Sequence, residues 1–151
     1  MANSQAMCTS FKSEILTALH ALGTTVTRGG TTADTVKAAL YLTTGSIGAS
    51  TTAYSATNEV SGTNYSAGGV SVTNANAPTT SGTTAIWTPS ASIVYTTVTL
   101  STAFDCVLLY NSTQSNRAIS SHTFGAQTIT AGTFTLTMPT NDASNALLRI
   151  A

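Results

Sequence analysis

The chain has 151 residues, a formal net charge of zero and only 7% charged side chains, where typical proteins carry about a quarter. Five basic residues argue against a nucleic-acid partner, because binding phosphates requires clustered Lys and Arg. Thr, Ser and Asn must supply most of the polar surface, and Thr favours strands over helices. The length suits one domain with a substantial core, and the composition favours strands. Together they predict a single all-β domain spanning residues 1–151.

The N-terminus shows no secretory signal, because Met1–Met7 lacks a basic start and no apolar run follows it. No segment approaches the roughly 18 apolar residues of a membrane-spanning helix. We therefore expect synthesis in a cytoplasm and no membrane partner. The two cysteines, Cys8 and Cys106, are too few for the disulfide framework of a secreted domain. We predict that both are buried thiols.

Residues 1–7 are predicted to be a loose N-terminal arm, and residues 8–22 the one convincing helix. Apolar side chains recur along this helix at spacings that place them on one face: Phe11, Ile15, Leu19 and Leu22. Gly23 is a suitable helix stop. Two interpretations stay open for this face. It packs on the sheet of its own chain, which we favour, or it inserts into a neighbouring subunit, in which case the four residues and Met7 form an interface.

Residues 33–151 are predicted to form the β domain, beginning with three strands in Thr35–Val72. The predicted strands are Thr35–Leu42, Thr51–Val60 and Tyr65–Val72. Paired glycines at Gly68 and Gly69 indicate a bulge or a close backbone approach within the third strand. A polar loop at Thr24–Thr32 precedes this block, and a long connection at Thr73–Gly82 follows it.

The second half of the chain contains further runs of β-branched, aromatic and alternating apolar residues. The predicted strands are Thr84–Trp87, Ile93–Leu100, Phe104–Tyr110, Ala118–Phe124, Gln127–Met138 and Asn145–Ile150. Eight or nine short strands separated by turns predict an antiparallel β-sandwich, immunoglobulin-like or jelly-roll-like. The N-terminal helix would cover one end or face of it.

No motif in the sequence indicates catalysis, a metal site or a cofactor site. His20 and His122 have no Cys, Asp or Glu at metal-ligand spacing, and no Gly-x-Ser-x-Gly elbow is present. Among the five carboxylates, Glu59 and Asp105 are the pair that folding could bring together for hydrolysis. We favour the simpler interpretation, in which each carboxylate pairs with a cation or accepts backbone hydrogen bonds. The chain is therefore predicted not to be an enzyme.

Several segments resemble small structural proteins of tailed bacteriophages. The resemblance begins with the run Cys8–Leu16, CTSFKSEIL, followed by His20. It continues through segments that together cover most of the chain: Val36–Tyr41, Ile47–Tyr54, Asn58–Gly69, Leu109–Asn111, Asn116–Ala118, Phe124–Gly125 and Ala143–Ala151. The resemblance implies a part of the phage particle, which is compatible with the absence of any reactive motif.

Within a virion, the resemblance and the absence of any reactive site favour a capsid cement or decoration protein. Such a protein would bind the major capsid protein as a homo-oligomer, with a trimer favoured, and would stabilise the assembled shell by mass action. A tail, baseplate or fibre-attachment component is the first alternative. The second is a glycan-binding module, in which Tyr54, Tyr65, Trp87 and Tyr95 would stack on sugars.

Overall fold

The computed structural model describes residues 2–16, 18–23, 33–73 and 76–151. Within these ranges the fold is an antiparallel β-sandwich with one short helix near the N-terminus, as the composition predicted. The predicted loop Thr24–Thr32 lies outside the described residues, and so do residues 74 and 75 of the predicted connection Thr73–Gly82.

Eight strands in two sheets make up the described part of the fold. The elements in chain order are β1 (Ala6–Met7), α1 (Thr9–Leu16), β2 (Val36–Leu42), β3 (Val70–Ser71), β4 (Thr79–Ser81), β5 (Thr84–Trp87), β6 (Ile93–Asn111), β7 (Arg117–Leu136) and β8 (Leu148–Ile150). The larger sheet has the order β1-β7-β6-β2-β3, and the smaller sheet has the order β4-β5-β8. Every paired strand is antiparallel to its neighbour.

A long hairpin of β6 and β7 forms the centre of the larger sheet. The two strands span 19 and 20 residues, and each joins two strands that the sequence predicted as separate. A break was expected in each of these two strands because Ser, Thr and Gly residues interrupt its apolar pattern. The pairing instead shifts register at several points, and Thr97 and Ala131 have positive φ angles of 51° and 46°. Bulges therefore bend these strands without ending them.

The predicted second strand, Thr51–Val60, is wrong. This segment makes only isolated bridges, from Ala53 to Arg117 and from Glu59 to Tyr41. Asn58 and Asn64 have φ angles near +60°, which interrupt an extended chain and which Asn tolerates better than most residues. The predicted third strand is reduced to Val70–Ser71. The close backbone approach expected at its glycines is confirmed, because a Cβ atom on Gly69 would overlap the carbonyl oxygen of Ala38.

The N-terminal arm is not loose, so that prediction is also wrong. Ala6 and Met7 pair with Ser121 and Ser120 of β7. The Asn3 amide donates to the carbonyl of Leu42 at 3.0 Å and to the Asp105 carboxylate at 2.6 Å. A two-residue strand has no periodicity of its own, so only its partners reveal it.

The helix is shorter than the predicted residues 8–22, because it ends at Leu16. Ala18 adopts a left-handed φ of 55°. Its N–H donates to the carbonyl of Ile15 at 3.1 Å, and the N–H of Leu19 donates to the carbonyl of Glu14 at 3.0 Å. These two bonds form a Schellman motif, which closes a helix when the residue after its end is left-handed. The sequence placed the stop at Gly23, since Ala rarely adopts this conformation.

Replacing Ala18 by Gly is expected to stabilise the protein by about 1 kcal/mol, because Gly adopts a left-handed conformation without steric cost. Chemical denaturation of both proteins measures the difference in the free energy of unfolding. Ala126→Gly is the matched control, since Ala126 is exposed in β7 and does not have a positive φ. That variant should be destabilised, and an Ala18→Gly protein that is also destabilised would contradict the assigned helix end.

Candidate functional site

The predicted interface residues lie mostly around one cavity. Phe11, Ile15, Leu19 and Leu22 line a cavity of about 700 Å³, whereas Met7 lies in β1 and packs against the core. Phe11 is only 2% exposed and α1 contacts β7, as expected for a helix packed on the sheet of its own chain. Ile15, Leu19 and Leu22 are half-buried.

The opposite wall of the cavity is one face of the smaller sheet. Trp87 pairs with Leu148, and Ala85 pairs with Ile150, so these four side chains alternate onto the same face. All four line the cavity. Ile150 stands at its rim and is 43% exposed, which is unusual for a large apolar side chain in this protein. The cavity is therefore apolar on both walls.

A buried polar network closes one end of the cavity. The Glu14 carboxylate lies 2.7 Å from Nε2 of His20 and accepts a hydrogen bond of 2.8 Å from Arg117. Nδ1 of His20 accepts from the Asn111 amide at 3.0 Å, and the same amide donates to Asp34 at 2.7 Å. The side chain of His20 is fully buried. The network thereby joins the segment after α1 to β6 and to the chain that enters β2.

Asn111 fixes the direction of these hydrogen bonds. Its side-chain oxygen accepts from the backbone N–H groups of Thr113 and Gln114, both at 3.1 Å, so its nitrogen must point at His20 and Asp34. Nδ1 of His20 is then an acceptor, and Nε2 donates to Glu14. Because both ring nitrogens are engaged within the fold, His20 has no nitrogen with which to take a proton from a molecule in the cavity.

Asp34 is the one carboxylate that lines the cavity among the described residues. It is 6% exposed and accepts three hydrogen bonds from neutral donors: the Ala21 N–H at 2.7 Å, the Asn111 amide at 2.7 Å and the Gln114 amide at 3.2 Å. Within the described ranges, no Lys or Arg forms an ion pair with it. As far as the structure describes its lining, the cavity therefore has apolar walls and one anionic group at one end.

A second cluster brings together all five tyrosines of the chain near Glu59. The Glu59 carboxylate accepts from the hydroxyl of Tyr54 at 2.6 Å, the hydroxyl of Tyr65 at 2.7 Å and the N–H of Gly68 at 2.8 Å. Tyr54 stacks on Tyr110, and Tyr65 stacks on Tyr95. Burial, with the nearby Glu59 charge, raises the pKa of Tyr65 and Tyr95 far above the ordinary value, so these hydroxyls stay protonated as donors.

The aromatic residues proposed to stack on sugars do not form an exposed platform. Tyr95 and Trp87 are each 2% exposed, and the indole N–H of Trp87 donates to the carbonyl of Asn76 at 3.1 Å. Tyr54 and Tyr65 are half-buried and turn their hydroxyls to Glu59. The four rings therefore pack within the fold.

The remaining carboxylates have separate partners, only some of which are the backbone N–H groups that the sequence analysis expected. Glu59 is held by tyrosines, whereas Asp105 accepts from Asn3, so the two have separate partners. Asp142 accepts from the backbone N–H groups of Ser144 and Asn145, both at 2.8 Å. These bonds organise a loop. Each of these carboxylates therefore has its own partners, and no two of them share a proton as a catalytic pair would.

The two cysteines are free and buried, as predicted. Burial, followed by the charge of Glu14, raises the pKa of Cys8 to about 11. Burial, followed by the charge of Asp105, raises the pKa of Cys106 to about 12. Since the thiolate is the reactive form, neither sulfur is activated as a nucleophile.

The second histidine borders a smaller cavity of about 130 Å³, between the β6–β7 hairpin and the segment before β8. Nε2 of His122 lies 3.0 Å from the hydroxyl of Ser120. Apolar neighbours surround the ring, and burial lowers the pKa of His122 from 6.5 to about 4. This histidine is therefore held neutral over most of the accessible pH range.

Sequence reasoning missed Asp34, Asn111 and Gln114 as site residues. The structure pairs Val36 with Asn111, which places the residue before β2 beside the end of β6. That proximity depends on strand register, which no local pattern in the sequence specifies.

In the part of the chain that the structure describes, no three His, Cys, Asp or Glu side chains are grouped as a metal site would require. The helix found there is also too short to cross a membrane. Comparisons of the chain with protein-family models, with curated proteins and with solved structures found no match. The resemblance to phage structural proteins therefore rests on the sequence segments alone.

Removing the Glu59 carboxylate is expected to destabilise the fold strongly. Glu59→Ala deletes three hydrogen bonds to a charged acceptor and leaves the hydroxyl protons of Tyr54 and Tyr65 without that acceptor, at a cost of about 3 kcal/mol or more in the free energy of unfolding. Glu59→Gln keeps the shape and is the matched control, with a clearly smaller loss. Denaturant unfolding measures both, and equal effects of the two variants would contradict the proposed role of the carboxylate.

Stability should fall as the pH is lowered from 6.5 to 4, because the unfolded chain binds a proton at His122 where the folded chain does not. The contribution is fully present above pH 6.5 and amounts to at most about 3 kcal/mol, lost by pH 4. The pH dependence of unfolding for the wild type and for His122→Leu, which lacks this titration, measures it. NMR titration of the His122 ring tests the assignment, and a midpoint near 6.5 would rule it out.

Proposed function

We propose that this chain is a structural component of a tailed-phage particle, acting as a cement protein that binds the lattice of the major capsid protein. It works in many copies, as a homo-oligomer with a trimer favoured, and it performs no reaction. It is made in the host cytoplasm and resides in the virion. The resemblance of its sequence segments to phage structural proteins supports this class of function.

The observation that carries the proposal is the outer edge of β7. One side of β7 pairs with β6, whereas on the other side β1 pairs only with Ser120 and Ser121. Within the described ranges, no strand pairs with this outer side between Thr123 and Leu136. These 14 residues extend over about 45 Å at the usual rise of a strand.

The open edge lacks charged residues and prolines, two of the features that keep strand edges apart in solution. Between Ala118 and Met138 the sequence has no Asp, Glu, Lys, Arg or Pro, and threonine dominates the exposed positions. Proteins that work as monomers protect such edges with charges, prolines or short strands. An uncharged, unpaired edge of this length supports the proposal that the protein functions while bound to another chain.

The rest of the molecule suits a bracing role. The long β6–β7 hairpin is anchored at one end by the aromatic core, where Phe134 contacts Tyr95, Phe104 and Phe124. A stiff body that binds assembled shells but not separate subunits stabilises the shell by mass action. Many copies on a lattice need only modest contacts each, because their binding adds through multivalency.

A tail, baseplate or fibre-attachment role is the alternative within the same class. An uncharged strand edge would serve equally in a small ring of subunits, so the two roles differ in copy number. Quantitative mass spectrometry of intact particles separates them. Copies in proportion to the major capsid protein support the cement role, and a single small ring per particle would contradict it.

Placing charge on the open edge is expected to weaken binding to the particle by about tenfold or more, because Lys side chains block edge-to-edge contact. The variant is Thr128→Lys with Thr130→Lys, both exposed on β7. The matched control is Ala56→Lys with Ser61→Lys, which adds the same charge at exposed loop positions.

The measurement is cosedimentation of each purified protein with heads built from the major capsid protein of the encoding phage. Wild type and control should saturate the heads and raise the temperature at which they disrupt. If the β7 variant binds as well as the wild type, this edge is not the contact. If the wild type stays monomeric and binds neither heads nor tails, the proposed function fails.

A further inference from the structure

The large cavity has the size and lining of a small-molecule site. Its volume of about 700 Å³ lies within the usual range for ligand pockets, which are mostly apolar with a few placed polar groups. The apolar walls come from the segment that contains Ile15 and Leu19 and from the face of β5 and β8 that contains Trp87. One wall comes from α1 and the segment after it and the other from the smaller sheet, so elements distant in sequence build the cavity.

The polar end of the cavity determines the charge of a suitable ligand. Asp34 is the one charged side chain among the described lining residues. Among the described side chains at this end, both ring nitrogens of His20 are already hydrogen bonded, and the nitrogen of the Gln114 amide donates to Asp34. A ligand group that enters this end therefore meets Asp34.

The Asp34 carboxylate retains capacity to bind such a group. Oδ2 accepts two hydrogen bonds, from Ala21 and Asn111, whereas Oδ1 accepts one, from Gln114. A carboxylate oxygen accepts about two hydrogen bonds, so one acceptor position on Oδ1 is open. A buried carboxylate surrounded by neutral donors gains most from a cationic donor, because charge-assisted bonds are the strongest and apolar walls screen them little.

We propose that this cavity binds a small amphipathic organic cation, consisting of a primary ammonium or guanidinium group on an apolar body. The cationic group bonds to Oδ1 of Asp34, and the apolar body lies between Ile15 and Leu19 on one wall and Trp87 on the other. The proposal is independent of the role in the virion, because it depends only on the cavity of the single chain.

Trp87 provides the readout, since it is the only tryptophan of the chain and it lines the cavity. The probes are octylammonium, octanol and octanoate, which share one apolar chain and differ in charge. Octylammonium should change the Trp87 emission saturably and bind about tenfold or more tighter than octanol. Octanoate should bind more weakly than octanol, because it brings a second carboxylate to Asp34.

Two variants and one control locate the site. Asp34→Asn removes the charge but keeps an oxygen that accepts from Ala21 and Asn111. This variant should bind octylammonium and octanol with about equal affinity. Leu19→Phe fills the apolar part and should weaken all three probes without touching the polar network. Asp142→Asn, an equal charge change outside the cavity, should leave the preference unchanged.

Several results would overturn the proposal. These are no saturable change in Trp87 emission with any probe, equal affinity for octylammonium and octanol, or an unchanged preference in a folded Asp34→Asn protein. If Asp34→Asn does not fold, the ranking of the three probes on the wild type and the loss of binding in Leu19→Phe decide the question. Binding of an apolar peptide with one Lys, but of none of the small probes, would replace the ligand by a protein partner.

Discussion

The carboxylate of Glu59 cross-links the long irregular segment between β2 and β3, and the tyrosines that it binds contact the larger sheet. It bonds to Tyr54 and Tyr65 of that segment and to the backbone of Gly68, and Tyr65 in turn accepts from the N–H of Leu40 in β2. Residues 43–69 have little strand structure, so isolated backbone hydrogen bonds, such as that from the N–H of Val60 to the carbonyl of Leu40, take the place of a continuous ladder. The Glu59 carboxylate and several tyrosines add side-chain bonds to these. The same residues stack on Tyr95 and Tyr110, so the clamp and the aromatic core are one unit.

A second polar centre shapes the opposite part of the molecule. Asn111 orients His20 and Asp34, and Glu14 joins His20 to Arg117 at the start of β7. Through these bonds the short helix, the chain entering β2 and the β6–β7 turn are held at fixed positions around the large cavity. Buried polar groups of this kind are costly unless every member has a partner. Asp34 is the member whose partners are all neutral, which is why it stands out as a place for a ligand.

The sequence was sufficient for the fold class, because threonine content, alternating apolar residues and turn residues all indicate strands. It also located β2 and β5 closely. It failed where tertiary contacts override local preference. Thr51–Val60 contains β-forming residues, but the hydrogen bond from Tyr54 to Glu59 and the positive φ angle of Asn58 keep it irregular. The four helix-spaced apolar residues were correctly grouped, although only Phe11 and Ile15 lie on the helix. The cavity could not be predicted, because it depends on the register of β2 with β6 and on a smaller sheet whose strands are three or four residues long.

The pairing of β1 with β7 affects the order in which parts of the chain can fold during translation. Ser4 and Ser121 are hydrogen bonded although they lie 117 positions apart in the sequence. The beginning of the chain is synthesised first, yet its docking surface on β7 exists only after most of the polypeptide has been translated. Contacts between such distant residues form slowly, because a long loop must close before they contribute. The N-terminal strand and helix therefore complete the domain late, and a nascent or truncated chain that ends before β7 would expose the apolar residues that they cover.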